Sequence, residues 1–179
     1  MTGQTHVAMG ALAGAAVMRL SGHQDLTLVL VGAAGGLLPD VDIPGSRAQR
    51  RLVPFAAATV FLSHFAGIQT PRPLSFVAWA ALAFTLAGML GRHRGVTHSA
   101  LAVAVTALAA IAFSPSPHGA ALTLGIATHI LLDTITPEGT SLLWPSRRRV
   151  SVPTARTGSI ADVATGLLAA AATAILAAR

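Results

Sequence analysis

The sequence predicts an all-α fold, a polytopic transmembrane bundle of about seven helices with the first two short. Three observations predict it. Hydrophobic residues make up 53% of the 179 positions and charged residues only 10%, with a mean hydropathy of +0.67. A soluble domain carries about 25% charged residues to cover its surface; lipid as the solvent removes that need, and an Ala-rich soluble helical bundle is the alternative. Second, the apolar residues gather in runs close to the roughly 20 residues that a spanning helix needs at 1.5 Å rise per residue. Third, Gly, Pro and Ser break those runs at regular intervals.

The runs lie at roughly 6–20, 25–39, 52–68, 74–91, 98–114, 118–135 and 159–178. The first two are the short ones, and such a pair can sit inside a bundle instead of against lipid. Each carries a G-x-x-x-G, Gly10 with Gly14 and Gly32 with Gly36, the spacing that lets two helices approach closely. Segments three to seven are near spanning length. No repeat or low-complexity tail interrupts residues 1–179, which read as one membrane-embedded domain. The chain contains no Cys, which rules out disulfides and thiolate metal sites. The opening Met-Thr-Gly-Gln-Thr-His has no basic n-region, so no cleavable signal is expected.

If the segments simply alternate direction, one end of the bundle gathers 1–5, 40–51, 92–97 and 136–158. His6, Asp40, Asp42, His93, Arg94, His98, His129 and Asp133 all fall at that end. The opposite end holds Asp25 with His23 and His118, the two histidines being expected to be incidental. The net charge of +6 comes from 12 Arg, no Lys and 6 acids, and most Arg residues lie in the loops of the first end. Under the positive-inside rule that end is cytoplasmic, with the N-terminus inside; this placement argues against nucleic acid as the reason for the basic excess. Some of those Arg residues could serve a substrate as well.

His129 and Asp133 stand at i and i+4 in His-Ile-Leu-Leu-Asp, one turn apart on one face of an apolar helix. Ionisable groups there are costly and usually functional; the structural alternative is a His–Asp hydrogen bond tying helices together. Asp40 and Asp42 lie in a turn between Pro39 and Pro44, one expected as a cation ligand and the other as its supporting partner. Acids after a helix C-terminus oppose the helix dipole, and a bound cation would remove that conflict. In His93-Arg94-Gly95-Val96-Thr97-His98-Ser99, Thr97 is expected to cap the next helix and leave His98 in its first turn, as Thr5 does for His6. Arg94 is a candidate for holding an anionic substrate oxygen such as a phosphate, or is a plain topology-setting Arg. Glu138 could be a base or a further ligand. His64 is expected to pack or hydrogen-bond, and Trp144-Pro145 to anchor at the membrane interface.

Four His and three Asp make a mixed imidazole and carboxylate set suited to a divalent metal, zinc first, with manganese, iron or magnesium as alternatives. Seven groups exceed the four of a closed zinc site, so either two ions or one ion with supporting carboxylates is expected. Such a site would activate a water for hydrolysis.

Thr5-His6 with Gly10, Leu38-Pro39-Asp40-Val41-Asp42, His93 to Ser99, His129 to Asp133, Thr136-Pro137-Glu138-Gly139 and Trp144-Pro145 together resemble the LexA-regulated, membrane-bound metal-dependent hydrolase family, the YdjM-like inner-membrane proteins of bacteria. The resemblance runs from residue 5 to about 145 and implies a multi-pass hydrolase of the bacterial inner membrane. The ligand order is also similar in outline to zinc-dependent phospholipase C and P1-type nuclease. With the membrane setting, that points to a phosphoester or a lipid-linked substrate. The other class of function is a non-catalytic metal-binding membrane protein, a transporter or a structural subunit.

Overall fold

The computed structural model describes residues 1–89, 91, 94–113 and 116–178. Seven α-helices and two 3-10 turns account for most of them, with no strand beyond an isolated bridge between Thr140 and Val150. Helix α1 (Gly3–Ser21) is capped by the Thr2 hydroxyl, which accepts from Thr5 N, and it ends at Gly22 in the left-handed region. It is 19 residues long, so the expectation of a short first helix is corrected. The cap sits at Thr2, three residues earlier than expected, and Thr5 spends its hydroxyl elsewhere. Helix α2 (Thr27–Gly35) has only 9 residues and runs into a 3-10 turn at Leu38–Asp42. Helix α3 (Arg47–His64) is capped by Ser46, and α4 (Arg72–Met89) follows. A second 3-10 turn, Val96–His98, precedes α5 (Ala100–Phe113). Here too the cap is displaced. Ser99 Oγ accepts from Ala102 N, and Thr97 lies in the turn. Helix α6 (Pro117–Thr134) opens on proline, whose missing N–H costs nothing there. Helix α7 (Ile160–Ala177) is capped by Ser159.

Helix α2 is wedged between α1 and α6, α7 lies on α1, α3 pairs with α4, and α5 packs on α6. Glycine makes the wedge possible. A Cβ on Gly10 would strike the carbonyl of Gly32, one on Gly14 the carbonyl of Leu28, and one on Gly36 the carbonyl of His6. Gly125 of α6 meets Gly32 of α2 in the same way. Backbone-to-backbone approach of this kind needs no large side chains, and it explains how nine residues can hold the centre of the bundle. At one end Asp42 abuts Gly88 near the end of α4, and Thr2 and Thr5 meet Asp162 at the start of α7. At the other end Thr27 Oγ1 lies 2.7 Å from His118 Nε2, joining the starts of α2 and α6. His118 therefore has a structural partner, although the sequence marks it as incidental.

Large apolar side chains point outward from every helix, among them Leu30, Phe61, Leu86, Leu108, Ile111, Leu131, Leu167 and Leu168, all more than half exposed. By length and composition, two helices among the described residues, α4 and α7, are long and apolar enough to cross a membrane. Helix α5 is apolar but has 14 residues, and α3 carries three Arg in its first turns. His64 is exposed, with its ring edge-on to Trp79 and Nδ1 at 2.9 Å from Ser63 Oγ.

Candidate metal centre

The last turns of α6 present His129 and Asp133 toward the bundle axis, both essentially buried. His129 Nδ1 lies 2.7 Å from the Gly36 carbonyl at the end of α2. A carbonyl only accepts, so Nδ1 carries a proton and Nε2 is the ring nitrogen left to face the cluster. That Nε2 stands 3.2 Å from Nε2 of His98. Asp40 Oδ1 lies 3.6 Å from the first and 3.7 Å from the second, and Asp133 Oδ2 lies 3.7 Å from both. His6 stacks on the His129 ring with centroids 3.8 Å apart and puts its Nε2 at 3.2 Å from Asp133 Oδ1. Two triads thus share His129: His6 with His129 and Asp133, and Asp40 with His98 and His129, each with ligand atoms within 4.8 Å.

These residues fit a divalent cation. Ligands held about 2.0–2.2 Å from one ion lie about 3–3.5 Å from one another, close to the spacings seen. The donors are imidazole and carboxylate only. His6 Nδ1 is buried without a hydrogen-bond partner, an expense that buried polar groups rarely carry. The buried His/Asp groups could therefore hold a metal ion. Burial opposes ionisation of Asp40, but the His98 and His129 imidazoles outweigh it and hold that carboxyl below the usual carboxylate range. Burial likewise disfavours protonated His98, yet Asp40 and Asp42 outweigh it and raise its pKa.

The structure separates the two acids of the first turn. Asp40 faces the Nε2 atoms. Asp42 sits behind the His98 ring, its Oδ2 3.6 Å from Nδ1, and accepts a 2.6 Å hydrogen bond from Thr97 Oγ1. The 3-10 turn does this, because its tight winding sends neighbouring carboxylates to different sides of the imidazole. Arg94 adopts a left-handed backbone, φ 60°, and reaches in with Nη2 3.5 Å from Asp133 Oδ2, while Nη1 donates to the Gly139 carbonyl at 3.1 Å. Its guanidinium is thus engaged with a carboxylate of the cluster. Glu138 is half exposed and stands 3.9 Å from Arg94 Nη1, whereas Asp133 meets Nη2. It belongs to neither His/Asp triad. His93, the remaining expected ligand, lies outside the described residues.

One further residue, Asp162, escaped the sequence reading, and a second, Thr97, takes a role other than the expected cap. Asp162, fully buried at the start of α7, accepts from Thr5 Oγ1 at 2.6 Å, from Gly158 N at 2.7 Å and from Thr2 N at 2.9 Å. It fixes the start of α1, and with it His6. The signal was available: Ser159 with Asp162 is a cap followed by an acid three residues on. Thr97 is the other, a clamp between Asp42 and His98 Nδ1.

Comparison with known proteins places the chain. It is 27% identical over 154 residues to YvsG of Bacillus subtilis (strain 168), covering 86% of this chain and 79% of that protein. It is 44% identical over 69 residues to the inner membrane protein YdjM of Escherichia coli (strain K12) and to its counterpart in Shigella flexneri. Those two matches each span 34% of this chain and 34% of the relative. No solved structure matches the chain. The family described as YdjM inner membrane protein matches across residues 1–178, and the chain belongs to that family.

Proposed function

We propose that the chain is a multi-pass inner-membrane hydrolase that depends on a divalent metal, zinc by preference, and acts on a phosphoester or lipid-linked substrate. The observation that carries this reading is the pair of Nε2 atoms 3.2 Å apart with Asp40 and Asp133 oxygens within 3.7 Å of both. When bound, a divalent ion there supplies Lewis acidity and an acidified water. The chain's own residues hold that chemistry in place. The Gly36 carbonyl fixes the tautomer of His129, and Asp42 with Thr97 orients His98 from behind. Arg94 steadies Asp133 and ties the Pro137–Gly139 turn to the site. Asp40, 22% exposed at its side chain where the other four are at most 3%, is the member of the cluster that a substrate can reach.

The outward apolar side chains on all helices support the multi-pass reading. An 18-residue helix is about 27 Å long, close to the roughly 30 Å hydrocarbon thickness. Arg47, Arg50, Arg51, Arg147, Arg148, Arg149 and Arg156 all lie in segments at the cluster's end, which supports a cytoplasmic site and N-terminus. The test is elemental analysis of detergent-purified protein together with turnover of phosphoester substrates. We expect bound zinc or a related ion, hydrolysis abolished by chelation, and loss of both in His129→Ala/Asp133→Ala. Hydrolysis at wild-type rate in that double variant would refute the reading. Metal uptake into proteoliposomes without ester hydrolysis would support a transporter instead. A transporter's ligands belong near the bilayer midplane, whereas these lie where helix ends meet.

A further inference from the structure

A cleft of about 950 Å³ opens beside the cluster, between the start of α1, the Leu38–Asp42 turn, the start of α3 and the outer face of α7. Its lining combines two chemistries: the 3-10 turn and the start of α3 contribute Asp40, Ser46, Arg47 and Arg51, while α1 and α7 contribute Val7, Ala8, Ala11 and Ala170 together with the polar Gln4 and Thr173. Arg47 and Arg51 are i and i+4 on α3, both exposed. Like charges one turn apart repel, and no acid among the described residues lies within ion-pair distance of either. Two unneutralised guanidiniums beside the one accessible carboxylate of the cluster form an anion trap, and their planar forks match phosphate oxygens. The small side chains Ala8, Ala11 and Ala170, with Val7, give the same cleft an apolar wall on α1 and α7.

We propose that this cleft binds an amphiphile, with a phosphate-type anionic head on Arg47 and Arg51 and a hydrocarbon chain along Val7, Ala8, Ala11 and Ala170. The inference deepens the hydrolase reading and rests on it for the role of Asp40, which places the head beside the His/Asp cluster. It also reassigns anion binding. Arg94 is already engaged with Asp133, whereas Arg47 and Arg51 face the cleft.

The test is equilibrium binding of a pyrene-labelled dodecyl phosphate to the full chain in uncharged detergent micelles, read by anisotropy. The matched pyrene-labelled dodecanol and unlabelled inorganic phosphate serve as comparison ligands. We expect the alkyl phosphate to bind at least tenfold more tightly than the alcohol, and inorganic phosphate to compete only at more than a hundredfold excess. Arg47→Gln/Arg51→Gln should weaken binding at least tenfold with helicity and metal content unchanged. Ala8→Leu/Ala11→Leu, which crowds the apolar wall without touching the arginines, should weaken it several-fold. Equal binding of the alcohol, or no effect of the Arg pair, would overturn the head site. Inorganic phosphate competing at equal concentration would mean a free-anion site and overturn the amphiphile. Chelator-treated protein separates the two readings. Arg-dependent binding that survives there without hydrolysis in any form sustains the cleft and sinks the hydrolase, while hydrolysis with unaltered KM in Arg47→Gln/Arg51→Gln does the reverse.

Discussion

His129 belongs to both triads, and its substitution should cost more than that of any other ligand. His129→Ala is expected to lose the metal entirely, measured as metal per chain after dialysis. Asp42→Asn should keep the metal but weaken it about 10–100-fold, because it touches His98 only from behind; equal loss in both would mean that Asp42 binds the ion directly. Asp162 makes a different kind of contribution. Asp162→Ala removes the acceptor of the part-buried Thr2 and Gly158 N–H groups and the shortest bond of the Thr5 hydroxyl, which keeps the residue-162 carbonyl and Thr2 Oγ1 as partners. The cost is about 1–3 kcal/mol in all, the penalty for one unpaired buried group. The expected result is a clear drop in thermal stability in detergent, with Asp162→Asn intermediate. At this scale the sequence was informative where spacing alone sets geometry, as in His129 and Asp133. It was ambiguous for Asp40 and Asp42, because the tight turn that separates them is held by the helices around it, and for Arg94, whose pairing with Asp133 joins distant segments.

The two G-x-x-x-G pairs were legible because a small-residue period needs no tertiary information, and they meet as the spacing implies. Gly14→Ala places a methyl against the Leu28 carbonyl, where neither backbone can yield. The expected destabilisation is at least the about 1–3 kcal/mol of ordinary overpacking, read as a lowered unfolding temperature. Ala104→Leu on the exposed side of α5 should change it little; equal effects would show that α1 and α2 are not in close contact. Helix starts were less legible. Thr5 and Thr97 have the right residue type for a cap, but Thr2 and Ser99 take that role. A threonine hydroxyl that finds a buried carboxylate, Asp162 or Asp42, is worth more there than at a helix end.

Across the molecule, polar groups are buried beside an apolar core while large apolar side chains face outward. Buried residues include Thr5, Thr97 and Thr136, three His and three Asp, while Leu108, Leu167 and Leu168 face outward. Leu108→Arg should therefore disfavour membrane insertion by up to about 2.5–3.5 kcal/mol, seen as loss of protein from the membrane fraction; normal membrane yield would argue that α5 does not face lipid. Because the chain has no Cys, single cysteines report orientation directly. Ser146→Cys is expected to react from the cytoplasmic side and Gln24→Cys from the other; the reverse pattern would overturn the proposed topology.

The sequence by itself determined the seven α-helices found among the described residues, the glycine contact and the meeting of His6, Asp40, His98, His129 and Asp133 at one end, since composition and periodicity are local properties. Tertiary structure decided the rest. It decided which nitrogen of His129 faces the cluster, which acid of the pair lies in front of His98, and that Asp162 holds the first helix in place. Each of these depends on hydrogen bonds between residues far apart in the chain, whose partners exist only once the helices have closed around α2.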